Sequence, residues 1–188
     1  MKVKRVFDCA LAGVLLLFFL LPMCVIALWV RLSSPGPAVY WSQRVGRKNA
    51  LFPMPKFRSM RRDTPAVATH LLGDAKAYVT PVGRFLRQTS LDELPQLWSV
   101  LRGHMSFVGP RPALFNQHDL VEMRTEAGVH RLRPGITGWA QINGRDELDS
   151  AAKTRFDAEY LARQSFLFDL RILWLTVWRV LARHGISH

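Results

Sequence analysis

Charge of either sign is missing from Cys9 to Val30, and acidic residues are missing altogether between Asp8 and Asp63. Cysteine is nearly absent too: Cys9 and Cys24 are the only two, and both lie inside the uncharged stretch. Two cysteines so placed build neither a secreted-type disulfide framework nor a zinc site, so the polar part of the chain is expected in a reducing cytoplasm. No GxxxxGK[ST], GxGxxG, HExxH or GxSxG motif occurs, which removes the familiar signatures of nucleotide loops, zinc proteases and serine hydrolases. The six histidines, His70, His104, His118, His130, His184 and His188, show no metal-ligand spacing. Repeats, low-complexity tracts and flexible linkers are also lacking. The 188 residues therefore divide into an apolar segment, 1–32, and one domain, 33–188.

The apolar segment is CALAGVLLLFFLLPMCVIALWV, 22 residues with Pro22 near the middle. As a helix it would rise ~33 Å, about the thickness of a bilayer's hydrocarbon core. A signal peptide is a poor fit, because the run is too long and no small-residue cleavage site follows it. A buried helix of a small domain is rarely apolar on every face. Both flanks are basic: Lys2, Lys4 and Arg5 precede the run, and Arg31, Arg44, Arg47 and Lys48 follow it. A plain span would put one basic flank on the outside, against the usual cytoplasmic bias. A helix broken at Pro22 that enters and leaves by one face accommodates both flanks, and proline in a helix interior favours a kink. The re-entrant form is preferred over the straight span.

The net charge of +12 narrows the partners. Basic residues beside a membrane segment attract anionic headgroups at ~1 kcal/mol each. The same charge would suit phosphate-bearing ligands or nucleic acid. A membrane-tethered basic module for nucleic acid or anionic lipid therefore stands as the alternative to an enzyme.

Beyond the apolar run, SSPGP (Ser33 to Pro37) reads as a rigid turn. Val39–Gln43 and Leu51–Phe57 read as strands around a turn at Gly46 to Asn49. Residues 64–80 carry little pattern. Helices are expected from Ser90 to Gly103, Phe115 to Gly128, Ser150 to Arg163 and Phe166 to His184, with GPRP (Gly109 to Pro112) as a shaped loop. In the last helix Asp169, Arg171, Thr176, Arg179 and Arg183 share one arc, opposite a face carrying Trp174 and Trp178. That pattern describes an interfacial helix, with a core helix as the alternative. The fold class is α+β, mostly helical, with a Pro-broken re-entrant membrane helix, interfacial amphipathic helices and a small β element.

Asp92 and Glu93 in TSLDELPQL are the sharpest chemical candidates. Ser90 and Glu93 also match a capping box, which would make Glu93 a helix-start device. The two readings are compatible, since a carboxylate fixed at a helix start beside Arg84 and Arg87 can serve as a nucleophile in phosphoryl chemistry. Arg111, clamped between Pro110 and Pro112, suits bidentate phosphate recognition. Arg133 and Arg145 bracket a glycine-rich segment in the same way. Lys56, Arg58 and Arg61 form either a phosphate patch or a contact with headgroups. For each arginine alone, a solvated turn residue is the bland alternative.

Taken together, KRVFD (Lys4 to Asp8), the Pro-interrupted apolar run, PKFRSM (Pro55 to Met60), PVGRFLRQTSLDELPQLWSVLRGHMSFVGPRP (Pro81 to Pro112) and RPGITGWAQINGRD (Arg133 to Asp146) resemble the bacterial sugar transferase family. The resemblance is to its small monotopic phosphoglycosyl transferases in their minimal catalytic form. It implies transfer of a phospho-sugar from a UDP-sugar to a polyprenol phosphate, usually undecaprenyl phosphate, with Mg²⁺, at the cytoplasmic face of the inner membrane. By the same resemblance Asp92 attacks the sugar-bearing phosphate, UMP leaves, and the polyprenol phosphate resolves the aspartyl intermediate. Glu93 then helps Asp92 hold the metal or positions the acceptor. Lys56, Arg58, Arg87, Arg111, Arg133 and Arg145 fall to substrate binding, and Pro22, Trp174 and Trp178 to the membrane. UDP-sugar, polyprenol phosphate and membrane lipid are the implied partners, nucleic acid is not, and self-association is left open. Better-known members carry a serine before the hairpin proline, where this chain has Leu21.

Overall fold

A helix apolar on every face cannot bury itself entirely against a domain of this size, and α1 (Lys2–Ser33) does not. The computed structural model describes residues 2–65, 67, 75–144 and 148–181. Among these, α1 is the one helix long and apolar enough to cross a membrane. Its first limb packs Leu11, Ala12, Leu15 and Leu16 into the main core. Its second limb packs Met23, Ile26, Ala27 and Val30 into a smaller core. Between the limbs Leu17, Phe18, Leu20 and Leu21 are 60–76% exposed. The helix is thus held at both ends by one domain and bare in the middle.

The expected break at Pro22 is absent, because helical conformation runs through it from Lys2 to Ser33. Proline deletes only its own donor from the helical ladder. The ladder continues on both sides of it.

β1 (Val39–Val45) and β2 (Leu51–Phe57) form an antiparallel hairpin that pairs Val39 with Phe57 and Val45 with Leu51. A 3₁₀ turn at Arg47–Asn49 joins them, with Lys48 and Asn49 at positive φ. This agrees with the sequence reading, with β1 two residues longer. α2 (Ala75–Tyr78) is followed by α3 (Pro81–Gln88), a helix the sequence reading missed. Its signals were present: Pro81 opens the first turn, and the Thr80 hydroxyl accepts the Gly83 N–H at 2.9 Å. Gly83 is required because a Cβ there would lie 1.9 Å from the Ser59 carbonyl oxygen.

The remaining elements are α4 (Gln96–Leu101), β3 (Ser106–Val108), α5 (His118–Glu126), β4 (Gly135–Thr137), α6 (Trp139–Ile142), α7 (Ser150–Arg163) and α8 (Phe166–Leu181). β3 and β4 form a short parallel pair in segments where the sequence reading expected no strand. Glycine permits the contact: a Cβ on Gly135 would stand 2.2 Å from the Gly109 nitrogen. The expected helix Phe115–Gly128 is shorter, and Gly128 ends it in the left-handed conformation at φ +75°. α7 matches its expected bounds, capped by the Asp149 side chain, which accepts the Ala152 N–H at 2.7 Å.

α8 corrects the wheel drawn from sequence. Asp169 and Thr176 do not face solvent: Asp169 is buried against Lys4, and Thr176 shares a 2.7 Å hydrogen bond with Thr137. The outward face carries Leu167, Leu170, Trp174, Val177 and Trp178, all exposed, with Trp174 at 69% and Trp178 at 63%. Phe168 and Ile172 enter the core from the opposite side. Arg183 lies outside the described residues.

The chain leaves α1 through a turn organised by Arg58. Its guanidinium, 7% exposed, donates to the carbonyls of Ser34 (2.7 Å), Pro35 (3.0 Å) and Val30 (3.4 Å) and to the Ser34 hydroxyl (2.9 Å). Burial, with Arg62 and Arg31 nearby, lowers its pKa below the ordinary arginine value. Arg58→Ala strands these acceptors and should destabilise the protein by about 3 kcal/mol. Arg58→Lys, lacking the planar guanidinium, should recover less than half of that loss. Thermal unfolding in detergent measures both, and an unchanged midpoint in the alanine variant would refute the role.

Candidate active site

Asp92 and Glu93 sit in a single 3₁₀ turn, Leu91–Glu93, between α3 and α4. The expected capping box does not form. Ser90 is left-handed at φ +58° and its side chain caps nothing, so the helix expected from Ser90 begins only at Gln96. Pro95 supplies the reason, since it has no N–H with which to continue a helix from Leu91. Glu93 is thereby released from the helix start and turns to side chains from elsewhere in the fold.

Lys56, near the end of β2, reaches Glu93 Oε1 at 2.7 Å and Asp92 Oδ2 at 3.9 Å. Arg111 approaches Glu93 Oε1 at 3.4 Å. Asp92 is 6% exposed. Burial raises its carboxyl above the ordinary range and Glu93 adds to the rise, while Lys56, Arg87 and Arg111 pull against it. A buried carboxylate beside a second carboxylate and within the field of three cations is arranged for chemistry on an anionic phosphate. Leu91 and Leu94, which flank the pair, pack against the small core that Ile26 and Val30 of α1 share with Phe57, Val82 and Leu86. The turn that carries the carboxylates therefore borders the same small core as the second limb of α1.

The backbone under Arg111 is held from several sides. Gly109 donates to the Thr137 carbonyl (2.9 Å), Gly135 to that of Pro110 (2.9 Å), and Arg44 to that of Pro112 (3.1 Å). Arg124 donates to the Arg111 carbonyl at 2.8 Å and is itself clamped by Asp157, at 3.0 Å from Nε and 2.6 Å from an Nη. Asp157 is buried, and that burial raises its pKa against the pull of Arg124. The sequence reading missed this pair. The two residues are 33 positions apart on different helices, and neither segment signals the other.

Of the sequence candidates, the structure brings Asp92, Glu93, Lys56, Arg87 and Arg111 together. Arg58 is elsewhere, at the end of α1. Arg133 is also elsewhere: it donates to the Gly103 carbonyl at 3.0 Å, and its charged neighbours are Arg5, Arg47 and Asp8. Arg145 lies outside the described residues. Among the described residues no cluster of three or more His, Cys, Asp or Glu side chains stands ready for a metal. Asp92 and Glu93 are nonetheless hard oxygen donors, and Mg²⁺ is commonly held by one or two carboxylates together with substrate phosphates. The donor set fits that ion.

Comparison with known proteins gives a consistent answer. Residues 1–183 match the bacterial sugar transferase family. The chain is 43% identical over 185 residues to the UDP-glucose:undecaprenyl-phosphate glucose-1-phosphate transferase of Escherichia coli (strain K12), covering 94% of this chain and 39% of that protein. It is 38% identical over 199 residues to the undecaprenyl-phosphate galactose phosphotransferase of Salmonella typhimurium, covering 97% and 41%. It is 40% identical over 193 residues to the uncharacterized sugar transferase EpsL of Bacillus subtilis (strain 168), covering 100% and 91%. The chain thus spans about two fifths of the first two relatives and nearly all of the third. With the family matched over almost its whole length, the chain belongs to the bacterial sugar transferases.

Proposed function

We propose that the chain transfers a sugar-1-phosphate from a UDP-sugar to a polyprenol phosphate such as undecaprenyl phosphate, through a covalent intermediate on Asp92. The reaction would begin glycan assembly at the cytoplasmic face of the bacterial inner membrane. The observation that carries this reading is the buried Asp92 carboxylate, set in the field of Lys56, Arg87 and Arg111, in a turn that borders the small core shared by the second limb of α1. The names of the relatives, which pair undecaprenyl phosphate with glucose or galactose, support the substrate class.

In the first half-reaction an Asp92 oxygen attacks the sugar-bearing phosphorus. The bond from that phosphorus to the bridging oxygen breaks, and UMP leaves with the electron pair. In the second, a phosphate oxygen of the polyprenol phosphate attacks the same phosphorus and Asp92 departs as a carboxylate. Lys56 and Arg111 hold Glu93 and offer charge to the diphosphate, while Arg87 adds a further positive field. Mg²⁺, held by Asp92 and Glu93, would supply neutralisation of diphosphate charge. Splitting one displacement into two lets a soluble donor and a lipid acceptor use the same carboxylate in turn.

The acceptor's phosphate lies in the headgroup layer, so Asp92 must lie near it. The bare middle of α1 suits insertion among acyl chains, and its two tethered limbs suit a helix whose ends both stay on the side of the domain. The outward tryptophan face of α8 suits the interface.

A panel of UDP-sugars with undecaprenyl phosphate, scored by UMP release, tests the activity and identifies the sugar. No release with any donor would overturn it. Asp92→Asn should abolish turnover in a folded protein, and mass spectrometry of the wild type without acceptor should find a phospho-sugar on Asp92. Because burial raises the Asp92 pKa and Lys56 opposes the rise, the acid limb of adduct formation should lie above the usual carboxylate pKa of about 4. Lys56→Met should move that limb to higher pH, and movement to lower pH would contradict the assignment. Trp174→Glu with Trp178→Glu should slow the polyprenol-dependent second step far more than adduct formation. Equal loss of both half-reactions would argue against an interfacial α8.

A further inference from the structure

Arg133 fell outside the Asp92 site, and its surroundings form a second site at the other end of the hairpin and of α4. A pocket at the start of α1 is lined by Lys4, Arg5, Asp8, Arg47, Ser106 and Arg133, among others. Lys4 is matched by Asp169. Arg5 is committed to the carbonyls of Val100 (2.6 Å) and Leu101 (2.9 Å). Asp8 accepts the Phe107 N–H at 3.2 Å.

Arg47 and Arg133 are used differently. Each donates through Nε to a carbonyl, Arg47 to Arg131 at 2.9 Å and Arg133 to Gly103 at 3.0 Å. Their terminal nitrogens have no hydrogen bond among the described residues. Neither arginine, nor Arg5, forms an ion pair there. Burial, with Arg5 and Arg47 close by, lowers the Arg133 pKa against the opposing pull of Asp8, so three like charges share the pocket with one carboxylate. At the wall of the same pocket Ser106, 1% exposed, has a hydroxyl with no partner among the described residues. Two guanidinium groups fixed at Nε and a third cation outnumber the Asp8 carboxylate, which already accepts the Phe107 N–H, and with the orphaned Ser106 hydroxyl they leave the site rich in donors.

We propose that this pocket binds a phosphate group, in addition to and apart from the Asp92 site. Planar guanidinium groups match tetrahedral oxyanions, and several donors call for an anion with more than two oxygens. The groups acting on Asp92 and those acting on Arg133 do not overlap. Lys56 stands five residues along β2 from Leu51, ~17 Å of strand, whereas Arg47 lies in the turn before Leu51. One diphosphate does not bridge that distance. Arg5 precedes the uncharged run at Cys9 by four residues, ~6 Å of helix, so a lipid headgroup can supply the phosphate if α1 is inserted. Free phosphate is the other source. The phosphate chemistry is independent of the transferase reading, and only the lipid source rests on its membrane placement.

The test reads binding without turnover, so its failure and that of the transferase reading are separable. The protein is placed in phosphatidylcholine nanodiscs and its thermal unfolding followed as phosphatidylglycerol replaces part of the lipid, or as inorganic phosphate is added. Stabilisation by about 5 °C with phosphatidylglycerol supports the site and assigns it to lipid. Stabilisation by inorganic phosphate alone supports the site and assigns it to a soluble ligand. Arg47→Gln with Arg133→Gln should remove the response. Ser106→Ala, which removes a hydroxyl without a partner, should leave the ligand-free midpoint unchanged and weaken binding about tenfold. This second variant decides the matter if the double variant does not fold. No response to either phosphate source, or an undiminished response in the folded variants, overturns the proposal.

Discussion

An ammonium group from the first turn of α1 and a carboxylate from the first turn of α8 meet at 2.5 Å inside the protein, and the tertiary arrangement depends on that junction. Lys4 also donates to the Val108 carbonyl, and the Tyr160 hydroxyl donates to Asp169 at 2.6 Å. Burial and Asp169 push the Tyr160 phenol far above its ordinary range, so it remains a neutral donor. Helices α1, α7 and α8 and strand β3 are thereby fixed to one another at a single point. A buried ion pair contributes little net stability but is costly to break, since either half alone is a charge without compensation. What it does is place the helix: the start of α1 is tied to α8 and β3 at this point.

From that place the rest of the architecture follows. The start of α1 is fastened by Lys4, Arg5 and Asp8, and its end by Arg58. The helix cannot swing away from the domain, and its bare middle is presented as a unit. The Asp92 turn and the second limb share one small core, to which Leu91 and Leu94 contribute beside Phe57, Val82 and Leu86. The position of the carboxylate relative to the apolar segment is therefore set by core packing, not by a mobile linker. At the carboxylate itself, the opposed effects on its pKa resolve upward despite three cations nearby. Desolvation, reinforced by Glu93, outweighs their combined attraction, as expected where the side chain is 6% exposed.

Some of this was legible from residue order because it is local. The β hairpin follows from two short apolar runs around a turn, and α7 follows from a capping residue and uninterrupted helix formers. The adjacency of Asp92 and Glu93 is covalent, so they share a site wherever the turn is placed. Other signals were local but ambiguous. Ser90 and Glu93 satisfy the pattern of a capping box, yet the left-handed backbone at Ser90 gives the same residues a different use. Pro22 signals a break, yet the helix keeps its ladder on both sides.

Sequence by itself determined the apolar run, the excess of basic charge, the hairpin and the identity of the carboxylate pair, because each rests on neighbours along the chain. Only the tertiary structure decided which arginines meet that pair. Arg111 does so because Arg124, Asp157 and the Gly109–Gly135 contact hold its loop in place. Arg58 and Arg133 look no different on paper, but the fold directs one to the carbonyls that end α1 and the other to a second basic pocket. An arginine's reach is long and its donors are not selective. Its partner is set by what the backbone brings within a few ångströms, and residue order does not carry that information.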